Sequence, residues 1–334
     1  MTTLSIICPT LNEDKFIEGT VNSFLNQKYS TFDLEILITD GMSIDRTREI
    51  VNRLASLHSN IRLLDNQKKK TPFAFNLGLN EAKGEYVAIL GAHTEYAPDY
   101  LQTCYDELIK TGSVGCTGRI ISKAPSESFG ALMVQWVMES PFGVSGSSFR
   151  TMTEGYTHSV NFAVFQKKAL LELGGYDTSM HRNQDNDMNQ RLLDAGHKLY
   201  CTWKTQCHYY TPASPEKMFQ YGYNNGYWNA ISMLDRTRSM RLYHFIPFLF
   251  VLSLAFSFGV GMLEMVVTHS RYGAQGFELI LGLYLIAAVG FSFIAYGQKA
   301  DLRKMLLPAY FFWFHVSYGW GTLRGLVDRI TKRS

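Results

Sequence analysis

LSIICPTLNE at residues 4–13 and LEILITDGMSID at residues 34–45 decide the fold. Each is a short apolar run that stops at polar, turn-forming residues. In the first, Leu4–Cys8 reads as a strand, Pro9 as a turn and Phe16–Leu25 as a helix. In the second, Leu34–Thr39 reads as a strand, Asp40-Gly41 as its end and Thr47–Leu57 as a helix. The alternation continues with a strand at Ile61–Leu64, a helix at Phe73–Ala82 closed by Gly84, and a strand at Tyr86–Leu90. Strands alternating with helices predict an α/β fold on a mostly parallel sheet with helices on both faces. Such sheets bind ligands at the carboxyl ends of their strands. Those ends carry Pro9-Thr10-Leu11-Asn12-Glu13, Asp40-Gly41-Met42-Ser43-Ile44-Asp45 and Gly91-Ala92-His93.

Beyond these stretches the character of the chain changes. Its 334 residues suffice for one large domain or two modest ones. The formal net charge is +3, but from Arg241 onward nine Lys/Arg face four Asp/Glu, against 23 and 25 before it. The basic excess thus lies in the tail, among apolar residues. That placement argues against a nucleic-acid partner, which would need a basic folded face. The composition also excludes disorder, collagen and a disulfide scaffold. Five scattered cysteines, none in a CxxC pair, suit buried thiols in a reducing compartment. Met1 leads at once into the first strand, with no signal-peptide pattern.

Three tail segments are candidates to enter a membrane. Tyr243–Thr268 carries one charge, Glu264; Leu279–Gln298 and Met305–Leu323 carry none. A helix of about 20 apolar residues crosses a bilayer core, and Tyr, Trp and Phe at the segment ends suit the headgroup level. The expected division is therefore 1–235 and 236–334, the second a membrane domain of two or three helices. The third segment stays open. Lys299, Arg303 and Lys304 precede it, while Arg324, Arg329, Lys332 and Arg333 follow it. A full crossing would place these basic clusters on opposite sides, against the positive-inside tendency. A re-entrant or interfacial segment avoids that conflict.

Neither GxGxxG after the first strand nor GxxxxGK[ST] occurs, so a dinucleotide site and a P-loop are unsupported. Asp40 closes the second strand, where a carboxylate can accept from a base N–H or a ribose hydroxyl; Gly41 then permits a sharp turn. Asp45, Asn12 and Glu13 suit helix capping as well as ligand binding. His93 is a structural residue or a ligand. The densest polar run, His181 to Asp187, precedes a helix expected at Met188–Ala195. Asp185 or Asp187 can cap that helix, or take a proton from an acceptor hydroxyl. Gly143–Ser148 is expected to be mobile. Ser126–Arg150 has helical apolar spacing that fits core packing or an acceptor-side lid.

Four pieces, SIICPTLNE, ILITDGMSIDRTREIV, ILGAHTEYAPDYL and LGGYDTSMHRNQDNDMNQRLLDAG, follow in order across most of residues 1–210. Together they resemble the inverting glycosyltransferases of family 2, which have the GT-A nucleotide-sugar fold. DGMS…DRT, AHTEY and the apolar tail most resemble bacterial exopolysaccharide enzymes of the succinoglycan type. The resemblance implies transfer of a hexose from a nucleotide sugar, UDP-linked, to a lipid-linked saccharide, by a catalytic domain facing the cytoplasm from the cytoplasmic membrane. It implies that Pro9, Thr10, Asn12, Glu13, Asp40, Gly41 and Ala92 line the nucleotide pocket. His93 matches a metal ligand for Mg2+ or Mn2+, and Asp185 the catalytic base. Two positions depart from the family pattern: Gly91 replaces the first Asp of the metal motif, and Gln184 replaces a Glu. The Gln-x-x-Arg-Trp motif of processive synthases is also missing, its nearest stretch being Gln220–Trp228, which implies addition of a single sugar. Gly91 leaves a nucleotide-sugar-binding subunit of low or no activity as the alternative.

Overall fold

The computed structural model describes residues 2–144, 148–180, 182–235, 242–267 and 271–331. His181, Arg241, Thr268, Lys332, Arg333 and residues 145–147 of the stretch expected to be mobile lie outside them, as does the side chain of Tyr243. The chain runs β1 (Thr2–Thr10), α1 (Ile17–Leu25), β2 (Phe32–Asp40), α2 (Thr47–Leu57), β3 (Ile61–Asp65), α3 (Thr71–Glu81), β4 (Tyr86–Ile89), β5 (Thr94–Tyr96), α4 (Tyr100–Thr111) and β6 (Gly115–Lys123). It continues through α5 (Phe129–Glu139), α6 (Pro141–Val144), β7 (Gly155–Thr157), β8 (Val164–Gln166), α7 (Lys167–Glu172), α8 (Gln184–Asp194) and β9 (Leu199–Tyr210). The last helices are α9 (Pro215–Asp235), α10 (Ile246–Val267), α11 (Tyr272–Gln298) and α12 (Leu307–Thr331). By internal contacts the chain divides into two compact units, Met1–Ile121 with Met152–Tyr210, and Ser122–Thr151 with Thr211–Ser334. Helix α9, grouped by sequence with the first domain, lies in the second unit.

The first unit is built on a mixed sheet of order β3-β2-β1-β4-β8-β6-β9-β5, with β7 beside β9. The pairs β3–β2, β2–β1 and β1–β4 are parallel, as the alternating pattern requires. The pairs β4–β8, β6–β8 and β5–β9 are antiparallel. Register sets Thr10 beside Asp40 and Asp40 beside Asp65, so three strand ends finish level. Pro9 is not a turn; it continues β1 opposite Thr39. The β1–β4 pairing stops at Ile7–Ile89, so the missing Pro9 N–H interrupts no ladder with β4. One face of the sheet gives Ile7, Leu37, Val87, Ile89 and Phe165 to a core completed by Phe75 and Leu79 of α3 and Met188 and Leu192 of α8. A Cβ on Gly78 would collide with the Ile7 side chain, which is why α3 carries glycine where it meets β1.

Helix α8 begins at Gln184, four residues ahead of expectation, so Asp185 and Asp187 lie in its first turn. Asn183, at φ 63°, makes the left-handed step that starts it. Met188 and Leu192, one helical turn apart, pin α8 to the core. All five cysteines are unpaired and buried; burial pushes the Cys201 thiol up to about 12.

In the second unit, Met133, Val134, Val137 and Met138 of α5 pack with Met218 of α9, Ala288 of α11, and Leu307, Phe311 and Phe314 of α12. The apolar spacing within Ser126–Arg150 therefore serves core packing there. Helices α9 and α12 meet through glycines at four-residue spacing, Gly222 and Gly226 on one, Gly321 and Gly325 on the other. A Cβ on Gly226 would run into the Tyr318 carbonyl oxygen, and one on Gly321 into that of Tyr223. Among the described residues α10 and α11 are long and apolar enough to cross a membrane, and little of either is buried. A soluble core helix would bury that surface. Exposed apolar area on this scale needs lipid or a partner.

Candidate active site

The strand ends of β1 and β2 are laced into one polar body. The Asp40 carboxylate is fully buried and accepts from the Ser43 N–H (3.0 Å), the Ser43 hydroxyl, the Thr10 hydroxyl (3.4 Å) and Arg48 (2.7 Å). Arg48 also holds Asp65 at 2.8 Å, bridging β2 and β3. Asn12 adopts φ 57°; its N–H donates to the Ser43 hydroxyl and its side-chain oxygen accepts from the Ile44 N–H. Asn12 thus ties two loops together and caps no helix. The Asp45 carboxylate accepts from the N–H groups of Thr47, the first residue of α2, and Asp14, so it ties the start of that helix to the first loop, although the N-cap position itself is Arg46. The left-handed step of this loop falls on Met42, at φ 62°, and not on Gly41. Gly41 is there for room: its Cβ would stand 3.3 Å from Leu11 Cδ1 and 3.4 Å from the Thr10 carbonyl.

After β4 the chain crosses in front of these loops. Ala92 is buried and its carbonyl accepts from the Thr20 hydroxyl. His93 is half-exposed, with Nδ1 3.3 Å from Glu13 Oε1 and its ring beside Phe16 and Tyr209. Gly91 donates its N–H to the Tyr96 hydroxyl (2.8 Å). A Cβ there would stand 2.9 Å from the Phe162 ring, so an aspartate has no space unless Phe162 moves. Among the described residues no three His, Cys, Asp or Glu side chains cluster to hold an ion. Among the described residues the donors at this loop are His93 with Glu13 beside it, so a divalent cation fits there as one carried largely by a bound diphosphate.

Asp185 and Asp187 differ sharply although they are two residues apart. Asp187 is buried and paired with Arg191 at 2.8 Å; the same guanidinium holds the Leu173 and Gly175 carbonyls. Asp187 therefore fastens the turn ahead of α8. Asp185 has no cation partner among the described residues. Burial pushes its carboxyl up to about 6, against one amide bond from Asn161 Nδ2 at 3.3 Å. It borders a small pocket with Ile89, Val160, Asn161, Phe162, Phe165, Tyr176 and Asn189. Asn161 Oδ1 and Gln184 Oε1 are buried acceptors without a described donor. Phe162 follows Asn161 and packs on Tyr209, which packs on His93, so a continuous wall of side chains links the His93 and Asp185 regions. Sequence reasoning did not find Arg48, Asn161 or Phe162. Arg48 stands inside a matched piece, but its pairing with Asp40 depends on three-dimensional register alone.

The sequence pattern of glycosyl transferase family 2 matches residues 5–174, just over half of the chain. The chain belongs to glycosyl transferase family 2. As a family 2 glycosyltransferase it is similar over 98% of its length to a Methanococcus voltae enzyme, dolichyl N-acetyl-alpha-D-glucosaminyl phosphate 3-beta-D-2,3-diacetamido-2,3-dideoxy-beta-D-glucuronosyltransferase, with 28% identity and 98% of that protein covered. The succinoglycan biosynthesis protein ExoA of Rhizobium meliloti (strain 1021) is 27% identical over 97% of this chain and 94% of its own. A mannosyltransferase of Pyrobaculum calidifontis, solved with GDP-Man and Mn2+, shares the fold at 18% identity, with a TM-score of 0.57 over 96% of this chain and 87% of its own. The GT-A sheet and the apolar C-terminal helices expected from the motifs are both present.

Proposed function

We propose that this glycosyltransferase moves one hexose, with inversion, from a UDP-linked sugar to a lipid-linked saccharide at the cytoplasmic face of the cytoplasmic membrane. The observation that carries this reading is the contrast at the start of α8: Asp187 is neutralised by Arg191, while Asp185 stands at a pocket with its carboxyl pushed up to about 6. A base should titrate just below working pH, so that it is ionised yet still attracts a proton. At pH 7 a carboxyl with a pKa near 6 is roughly ten-to-one ionised. The acceptor oxygen attacks the anomeric carbon as its proton passes to the Asp185 carboxylate. The bond from that carbon to the diphosphate oxygen breaks on the opposite face, and the nucleoside diphosphate leaves.

The nucleotide falls to the β1 and β2 ends. Pro9, Thr10, Asn12, Glu13, Gly41 and Ala92 form or support the rim. Asp40, fully buried with its lone pairs engaged, shapes the loop, and reaches a base N–H or ribose hydroxyl only if the nucleotide displaces one of those partners. A divalent cation, Mg2+ or Mn2+, would be held by His93 with Glu13 beside it and by the diphosphate, and would neutralise charge on the leaving group. The relatives' printed names, a dolichyl phosphate sugar acceptor and succinoglycan synthesis, support a lipid-linked acceptor and a cell-surface product. The missing Gln-x-x-Arg-Trp motif supports single addition. Labelled nucleotide sugars offered with membrane lipid extracts test the reading. One sugar per acceptor with inverted anomeric configuration is expected; retained configuration or a polymer would overturn it. Nucleotide-sugar binding without transfer to any extract would select the binding-subunit alternative, which Gly91 favours.

A further inference from the structure

Helix α12 buries one face and leaves a straight apolar stripe on the other. Leu307, Phe311, Phe314, His315, Thr322 and Gly325 are buried. Leu306, just before the helix, and Trp313, Trp320 and Val327 within it are 53%, 57%, 57% and 44% exposed. Their spacing is seven residues throughout, which returns to nearly the same side of an α-helix. Polar groups gather toward the end of the helix, where Arg324 is exposed and pairs with Asp328. Unlike α10 and α11, α12 is not apolar enough to cross a membrane by composition.

Its neighbours define where it runs. Helices α10 and α11 form a hairpin whose tight end is marked by Gly261 against Gly273. The open end therefore holds the start of α10 and the end of α11. Helix α12 meets the start of α10 and, through His315 at 2.9 Å, Tyr284 of α11, and the turn just before it meets the end of α11. A Cβ on Gly319 would meet the Pro247 carbonyl at 2.5 Å, and Lys304, just before α12, donates to the Ala295 and Lys299 carbonyls.

We propose that α12 lies in the plane of the membrane at the open end of the α10–α11 hairpin, with the Leu306–Trp313–Trp320–Val327 stripe sunk into the boundary between anionic headgroups and acyl chains. The occupant of the stripe is lipid, because the stripe sits on helices whose own exposed surfaces are apolar. The flanking Arg303 and Arg324 side chains are exposed and suit an acidic headgroup layer. This placement also removes a conflict of charge. A crossing α12 would send Lys299, Arg303 and Lys304 to one side and Arg324 and Arg329 to the other. An in-plane α12 keeps all of them on one side, as the positive-inside tendency demands.

The inference rests on α10 and α11 crossing the bilayer, and the test separates the two. The full-length protein is placed in anionic-lipid nanodiscs containing lipids brominated either near the headgroup end or near the methyl end of their chains. Trp313→Phe and Trp320→Phe, read against the parent protein, give the quenching of each tryptophan. Leu279→Trp, on the exposed face of α11 and level with the middle of α10, reports a deep position. An in-plane helix gives both native tryptophans the same shallow depth, ~5–10 Å below the headgroup boundary. A crossing helix separates them by ~10 Å, from seven residues at about 1.5 Å each, and that result overturns the proposal. So does quenching of Leu279→Trp with none at Trp313 and Trp320, which would leave the crossing of α11 intact. If Leu279→Trp is not quenched, the crossing itself fails and the proposal falls with it. Should either substitution unfold the protein, acrylamide accessibility of the parent in nanodiscs with and without brominated lipid replaces it, and free access of acrylamide to both tryptophans contradicts lipid cover.

Discussion

At the scale of single residues, two carboxylates with one sequence context have opposite chemistry. Asp187 is held by a guanidinium and is structural. Asp185 is desolvated and has one amide donor. Its raised pKa has a thermodynamic consequence with a definite sign. The folded state holds the Asp185 proton more tightly than the unfolded chain does, so stability is highest below about pH 4 in this term and is lost as pH rises toward about 6. From 3.8 to about 6 the loss is at most about 3 kcal/mol. Asp185→Asn should therefore unfold at a higher temperature than the parent at pH 7.5, with the gap closing near pH 4; scanning calorimetry at the two pH values checks it. Transfer should show the opposite trend, rising about tenfold per pH unit below 6 and levelling above it, in initial rates with labelled donor. Asp40, unlike Asp185, has a cation partner among the described residues. Removing its partner through Arg48→Met strands a buried carboxylate and should cost ~3 kcal/mol, read from the urea midpoint. Motif order singled out Asp185 and Asp40 in the sequence. Asn161 was not, because its pairing with Asp185 joins segments 24 residues apart through a loop of no distinctive composition.

At the scale of elements, the parallel half of the sheet was legible because each strand is a dense apolar run ended by turn residues. What escaped was where elements begin. Pro9 was expected to turn the chain, but a strand edge past the last β4 partner tolerates proline. Helix α8 was expected at Met188, because its first turn is polar throughout; polar residues do not prevent a helix whose later turn is anchored by Met188 and Leu192. The antiparallel strands β5 to β9 are short or partly polar, so periodicity alone could not assign them. Glycine roles diverge in the same way. Gly19 in α1 has nothing within 4 Å of a Cβ, and Gly19→Ala should stabilise by ~0.5–1 kcal/mol. Gly321 in α12 faces a backbone carbonyl that cannot yield, and Gly321→Val should separate α9 from α12 and cost ~3 kcal/mol or more, seen as a lower melting temperature in detergent.

At the scale of the whole molecule, the strand ends that carry the polar chemistry belong to one compact unit, and the apolar helices to the other. A membrane-bound enzyme can meet an acceptor that never leaves the bilayer. The protein should accordingly stay with membranes through an alkaline carbonate wash. Replacing the exposed Phe256 of α10 and Leu279 of α11 by arginine should release it or prevent insertion, since each charge at mid-bilayer costs ~3 kcal/mol. The proposed chemistry turns on one carboxyl group. The most direct test compares the parent and Asp185→Asn for transfer of labelled sugar to the lipid acceptor, with donor binding measured on the same preparations. Donor affinity close to that of the parent, with transfer lower by ~10²–10⁴-fold, is the predicted result. Transfer by Asp185→Asn at a rate near that of the parent would contradict the assignment of Asp185 as the base.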